Sequence, residues 1–231
     1  KIDLPYLREK QSADDSLLVG LHGTTHVDAL GHVWYDDQLY NGYDAGTTKG
    51  GLEKCSIEPI AQHGIVGRGV LLDIARHRGV ERLDQGAEIP LEELLDCADE
   101  QGVDIEARDI ILIRTGWLEA FYDGEREQFT EFDEPGITYS KELVEWFHRT
   151  EIPVLGTDTF ASEKSVHESG LYMPLHPTFI RDQGILMTET MDLSELGADC
   201  MADDQYRFLY MCSPLKINRG TGSPVNPLAI K

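Results

Sequence analysis

Short apolar runs alternate with amphipathic stretches along this chain, and that alternation predicts its architecture. Residues 16–21 form an apolar run that ends at the His22-Gly23 step, which reads as a buried strand delivering a loop. Residues 70–74, Val-Leu-Leu-Asp-Ile, read as another buried strand. Over residues 90–101 the period changes: Pro90 stands in a first turn, Leu91, Leu94, Leu95 and Ala98 recur at helical spacing, and Gly102 supplies the stop. Residues 109–114, rich in Ile, return to strand. The cycle repeats, with Ser140 placed to cap a helix that runs through Phe147 and residues 153–156 resuming as strand. A short helix over 174–181, a strand over 184–188 and a last long strand over 207–215 complete the series. Helices alternating with short apolar strands predict an α/β domain with a largely buried sheet. A length of 231 residues buries a large core, and the chain is read as one domain spanning 1–231.

Composition narrows the class. An apolar fraction of 41% with 22 glycines is that of an ordinary globular chain and argues against disorder or a fibrous repeat. The longest apolar runs fall short of the ~18 residues a membrane-spanning helix needs, so no membrane partner is expected. Residues 1–15 lack the apolar centre of a secretory signal. The chain opens on Lys1 rather than Met, and a longer natural protein whose leader contributes substrate contacts is expected. Cys55, Cys97, Cys200 and Cys212 are scattered without a close pair, which predicts reduced thiols and a cytoplasmic protein. The formal charge of -22 is spread along the chain, and binding nucleic acid would need clustered Lys and Arg to displace counterions, so no nucleic-acid partner is expected. Sparse lysines and abundant carboxylates suit a salty cytoplasm in which self-repulsion is screened.

The chemistry is concentrated in one place. Three of the eight histidines and an aspartate fall in His22-Gly-Thr-Thr-His26-Val-Asp28-Ala-Leu-Gly-His32. Imidazole and carboxylate are the ligands that borderline divalent ions such as zinc and manganese accept, and nearby hydroxyls can orient them. His26 and Asp28, two apart, face the same way in an extended segment, and His22 can join them across Gly23. Satisfied polar residues at a strand end and a solvated polar loop are the competing readings, against which the flanking Leu18, Val19, Val33 and Trp34 argue for an enclosed segment. Asp158 follows an apolar strand and is either a functional carboxylate or a turn former. Trp34, Tyr35 and Tyr40 either stack on an aromatic substrate or pack. His63, His77 and His148 are read as surface or capping residues, whereas His167, between Asp158 and His176, is a candidate substrate contact. Gly67-Arg-Gly69 is too short for a dinucleotide fingerprint, and the chain holds neither a P-loop nor a Gly-x-Ser-x-Gly elbow.

The histidine segment resembles His-x-Gly-Thr-His-x-Asp-x-Pro-x-His, the signature of the cyclase family of metal-dependent hydrolases, which includes kynurenine formamidases and isatin hydrolases. His22, His26, Asp28 and His32 keep its spacing, with Leu30 where the family has Pro. Residues 109–117, 156–160 and 184–189 resemble later family blocks, so the likeness covers most of the chain. His32-Val-Trp-Tyr and Tyr40-Asn-Gly42 are similar to the isatin hydrolase branch, which uses manganese. The resemblance implies a mixed, barrel-like central sheet flanked by helices, of the swivelling β/β/α type. It implies His22, His26 and Asp28 as metal ligands and His32 as acid and base. In two-metal members Asp28 would bridge, with His176 and Glu189 completing the second site. One or two Mn2+ or Zn2+ ions, a small-molecule substrate and a homodimer or homotetramer follow as expectations. The implied activity is hydrolysis of a C–N bond in a small cyclic amide or aryl formamide, isatin-like or N-formylkynurenine-like. Lactone or ester hydrolysis at the same site, or metal binding without catalysis, stay open.

Overall fold

The structure, a computed structural model, describes residues 13–130, 133–167 and 170–231. In chain order its strands are β1 (His26–Asp28), β2 (Ile65–Asp73), β3 (Glu88–Ile89), β4 (Ile110–Arg114), β5 (Gly136–Ile137), β6 (Val154–Thr157), β7 (Leu186–Glu189), β8 (Arg207–Cys212), β9 (Gly222–Pro224) and β10 (Leu228–Ile230). Its α-helices are α1 (Ile57–His63), α2 (Ile74–His77), α3 (Leu91–Glu100), α4 (Trp117–Tyr122), α5 (Lys141–Arg149) and α6 (Ser194–Asp203). Among the described residues, eight strands form one sheet in the order β10-β8-β2-β4-β6-β7-β1-β9, and β3 pairs separately with β5.

The middle of the sheet, β2-β4-β6-β7, is parallel, and antiparallel strands extend it on both sides. Burial explains why those central segments are continuous apolar runs. Val70, Leu71, Leu72, Ile111, Leu112, Ile113 and Leu155 are all buried, as strands covered on both faces require. Helix α5 begins where the Ser140 hydroxyl accepts a bond from Leu143 N–H at 3.0 Å and buries Leu143, Trp146 and Phe147. Helix α3 buries Leu94, Cys97 and Ala98. The sheet curls, so that Thr25 and Val225 from one end and Leu228 and Ala229 from the other line a common cavity of about 600 Å³, together with Leu112 and Tyr210. The result is an eight-strand half-barrel flanked by helices, the mixed, barrel-like α/β sheet expected from the sequence.

Three expectations change. Residues 16–21 are coil rather than strand, with Leu17 86% and Leu18 100% exposed. Adjacent apolar residues imitate a strand pattern, but among the described residues no strand pairs with them. Among the described residues the first strand is instead β1, held between β7 and β9. The sheet is also less buried than expected: β8 alternates, turning Leu209 and Met211 outward, and β10 is exposed throughout. The short helix expected over 174–181 is present but shifted, as a π-helix at Pro177–Gln183 that ends at Gly184, whose φ of 72° suits glycine. The four cysteines are free thiols. Among the described residues no helix is long and apolar enough to cross a membrane.

Candidate metal centre

Strand β1 is three residues long, and it places the two residues that matter. His26 and Asp28 share one face because they are two apart, and the register sets His26 opposite Glu189 of β7. His26 Nε2 lies 3.3 Å from Asp28 Oδ1 and 3.5 Å from Glu189 Oε2. Its Nδ1 donates to the Thr24 carbonyl at 2.8 Å, which aims Nε2 inward. His22 comes back over the same carboxylate, with Nδ1 2.7 Å from Asp28 Oδ1 and Nε2 hydrogen-bonded to Thr221 Oγ1 at 3.0 Å. Gly222 makes room for this, since a Cβ there would stand 2.6 Å from the His22 ring. His32 stacks on His22 with ring centroids 4.0 Å apart. From the other side, His176 Nε2 reaches Glu189 Oε1 at 3.3 Å.

Asp28 is the centre of the arrangement. It is wholly buried; two imidazole nitrogens crowd Oδ1, at 2.7 and 3.3 Å, and no backbone or hydroxyl group donates to either oxygen. A buried carboxylate left in that state is costly unless a cation completes it. His22, Asp28 and His32 form one convergent donor group and His26, Asp28 and Glu189 another, the atoms of each lying within 4.8 Å of one another. Imidazole nitrogen plus carboxylate oxygen is the donor set of zinc and manganese sites, so these residues fit a divalent ion.

The charges point the same way. Burial works to raise the Asp28 carboxyl, yet His22 and His26 hold it well below the usual carboxylate range. Burial lowers His32 to about 4, overcoming the pull of Asp28, so at neutral pH its imidazole is uncharged and able to accept a proton. Burial also works against a charge on His176, but Glu189 and Glu163 drive it up to about 10. These two carboxylates demand a positive partner between them.

The cluster opens into a cavity of about 280 Å³ whose lining also includes Trp34, Phe160, Tyr172 and Met173. Among the described residues neither Lys nor Arg lines it. The larger cavity inside the half-barrel holds none of the four histidines, so size alone would mislead about where the chemistry sits.

The structure therefore brings together His22, His26, Asp28, His32, His176 and Glu189, with Trp34 at the cavity. Tyr35 and His167 stand outside its lining. Tyr35 donates to Asp182 at 2.9 Å under the Arg181 guanidinium, and His167 packs edge-on against Tyr139. Asp158 holds a turn, though one distant in sequence rather than its own. Buried at the end of β6, it accepts bonds from Thr115 N–H, Thr115 Oγ1 and Gly116 N–H and pins the turn between β4 and α4. Sequence reading missed Ser162, Glu163, Phe160 and Thr221. Ser162 and Glu163 sit in Ala-Ser-Glu-Lys-Ser, which reads as a solvated loop, and Thr221 carries no signal.

A model of the family described as "Putative cyclase" matches residues 2–164, the greater part of the chain. The chain belongs to the cyclase family. Cyclase-like protein 2 of rice (Oryza sativa subsp. japonica) is 25% identical over 219 residues, covering 93% of this chain. The chain spans 64% of the length of that relative. A crystal structure of a novel cyclase superposes with a TM-score of 0.87 at 33% identity, over 98% of this chain and 78% of that one. An isatin hydrolase bound to the product analogue thioisatinate superposes with a TM-score of 0.66 at 21% identity, over 92% of this chain and 72% of that one, a likeness of fold.

Proposed function

We propose that this cyclase-family chain is a metal-dependent hydrolase that opens the C–N bond of a small, uncharged cyclic amide of the isatin type. The observation that carries the reading is the buried Asp28 carboxylate, with no backbone or hydroxyl donor and faced by His22, His26 and, through His26, Glu189. His22, His26 and Asp28 would hold one Mn2+ or Zn2+ ion, and Asp28, His176 and Glu189 a second. When bound, such an ion supplies activated water near neutral pH and polarises a carbonyl. The chain's own residues do the rest. Trp34, Phe160 and Tyr172 offer flat apolar surface to an aromatic ring. His32, uncharged and at the cavity wall, accepts a proton from water and returns it to the nitrogen that leaves the carbonyl carbon, yielding an amine and a carboxylate. An N-formylkynurenine-like substrate carries an ionised amino-acid group, for which the described lining provides no cationic side chain. The four free cysteines support a reducing, cytoplasmic setting.

The test is isatin hydrolysis by chelator-stripped protein, before and after Mn2+ or Zn2+ is returned. Activity is expected to vanish on stripping and return with the ion. His32→Ala is expected to retain the ion and lose roughly 10²–10⁴ in turnover. Full activity in stripped protein, or in His32→Ala, rejects the proposal; a preference for lactones over amides rejects its substrate.

A further inference from the structure

One buried carboxylate beside the cluster has no part in that reaction. Glu163 lies on the excursion between β6 and the π-helix and is 0% exposed. Its Oε1 accepts from the backbone N–H of His176 at 2.8 Å and from the His176 ring Nδ1 at 2.6 Å, and its Oε2 accepts from Leu175 N–H at 2.7 Å. All three donors belong to His176 and the residue before it. The remaining ring nitrogen, Nε2, is thereby turned onto Glu189 Oε1. Ser162, the preceding residue, donates its hydroxyl to that same Oε1 at 3.1 Å. Two consecutive residues thus orient the two side chains that face each other across the cluster.

Residues 162 and 163 are themselves anchored. Ile137 N–H donates to the Ser162 carbonyl at 3.2 Å, and Lys164 N–H donates back to the Ile137 carbonyl at 3.0 Å, which bridges Glu163 to β5. Gly136 on β5 passes so close that a Cβ there would lie 2.3 Å from the Glu163 carbonyl carbon. Backbone, not a flexible side chain, would be struck, so Gly136→Ala must displace Glu163.

We infer that Glu163 is a positioning residue that holds His176 with Nδ1 protonated and Nε2 free to ligate a divalent ion, so that a second ion site at Asp28, His176 and Glu189 depends on Glu163. The physical reason is that a carboxylate bound to the distal N–H of a histidine ligand fixes the ring's tautomer and orientation and makes the ligating nitrogen more basic. Glu163 also satisfies two backbone donors at the entrance to the π-helix, which sets where the His176 ring starts. The inference rests on the reading that the cluster holds metal.

The experiment is calorimetric titration of the chelator-stripped full chain with Mn2+, beside ring 15N NMR of the protein loaded with diamagnetic Zn2+. The wild type is expected to bind two ions. Glu163→Gln keeps the side chain's shape but removes its charge and faces one of the three donors with an NH2 group. It is expected to leave the first affinity within about twofold and weaken the second by roughly 10–100-fold. Gly136→Ala is expected to show the same selective loss. Either variant keeping both affinities, or weakening both equally, overturns the inference. A wild type that binds a single ion overturns it while leaving the metal reading intact. Should both variants fail to fold, the wild-type spectrum decides, and a His176 ring protonated on Nε2 rather than Nδ1 overturns the inference. A wild type that takes up no ion defeats both the metal reading and this inference.

Discussion

Glu134 gives the fold a pH dependence that a neutral replacement should remove. Its side chain is 6% exposed and accepts a short hydrogen bond from the backbone N–H of Phe160, a residue that lines the metal-centre cavity. Burial, the largest influence, pushes the Glu134 carboxyl from 4.5 up to about 7; Glu189 and Asp158 push the same way, while Phe160 N–H pulls it back. Over the interval between those values the folded chain keeps a proton that the unfolded chain has released. The stabilisation from this group is therefore complete below pH 4.5, falls as pH rises through about 7, and is lost above it. At about 1.36 kcal/mol per pH unit, the whole change is roughly 3 kcal/mol, or on the order of 6–12 °C in melting temperature for a chain of this size. Glu134→Gln preserves an acceptor for Phe160 N–H and cannot ionise. In chelator, where all other titrations are common to both proteins, thermal melts at pH 9 should show the variant more stable by about that amount. At pH 4.5 the two should coincide. A difference of equal size at both pH values would refute the reasoning.

Two other outcomes follow. Asp158→Ala strips an acceptor from Thr115 N–H, Thr115 Oγ1 and Gly116 N–H; at about 1–3 kcal/mol for each buried donor left unpaired, urea denaturation should show a loss of roughly 3 kcal/mol or more, and a loss under about 1 kcal/mol would contradict a turn-pinning role. With a formal charge of -22, the chain should melt higher in molar salt than in dilute buffer as self-repulsion is screened, and a flat or falling melting temperature would reject that account.

What the sequence determined by itself is local. The i, i+2 spacing of His26 and Asp28 puts both on one face of any extended segment, and the structure makes that segment β1. The Leu- and Ile-rich runs at residues 70–74 and 109–114 read as buried strands, and β2 runs through Asp73 and β4 from Ile110, with Ile74 opening α2; Ser140 ahead of an amphipathic stretch caps α5 as its position predicts. Each of these follows from periodicity or from a side chain acting within a few residues of itself. Resemblance extended the reading to His176 and Glu189, which periodicity would never have joined to His26.

Tertiary structure decided everything that depends on which segment lies alongside which. Residues 16–21 are the more apolar segment, yet it is β1, His-Val-Asp, that is a strand, because β7 and β9 flank it, while residues 16–21 join no ladder among the described residues. Tyr35 and Trp34 are neighbours in sequence, yet Arg181 and Asp182 draw Tyr35 away while Trp34 stays at the cavity. Glu163 looks like one more carboxylate in an acidic chain. It becomes the anchor of His176 through contacts 12 and 13 residues away, made where the excursion folds back along β5. Carboxylates differ little in sequence and greatly in surroundings, because desolvation and the donors that offset it are supplied by the fold.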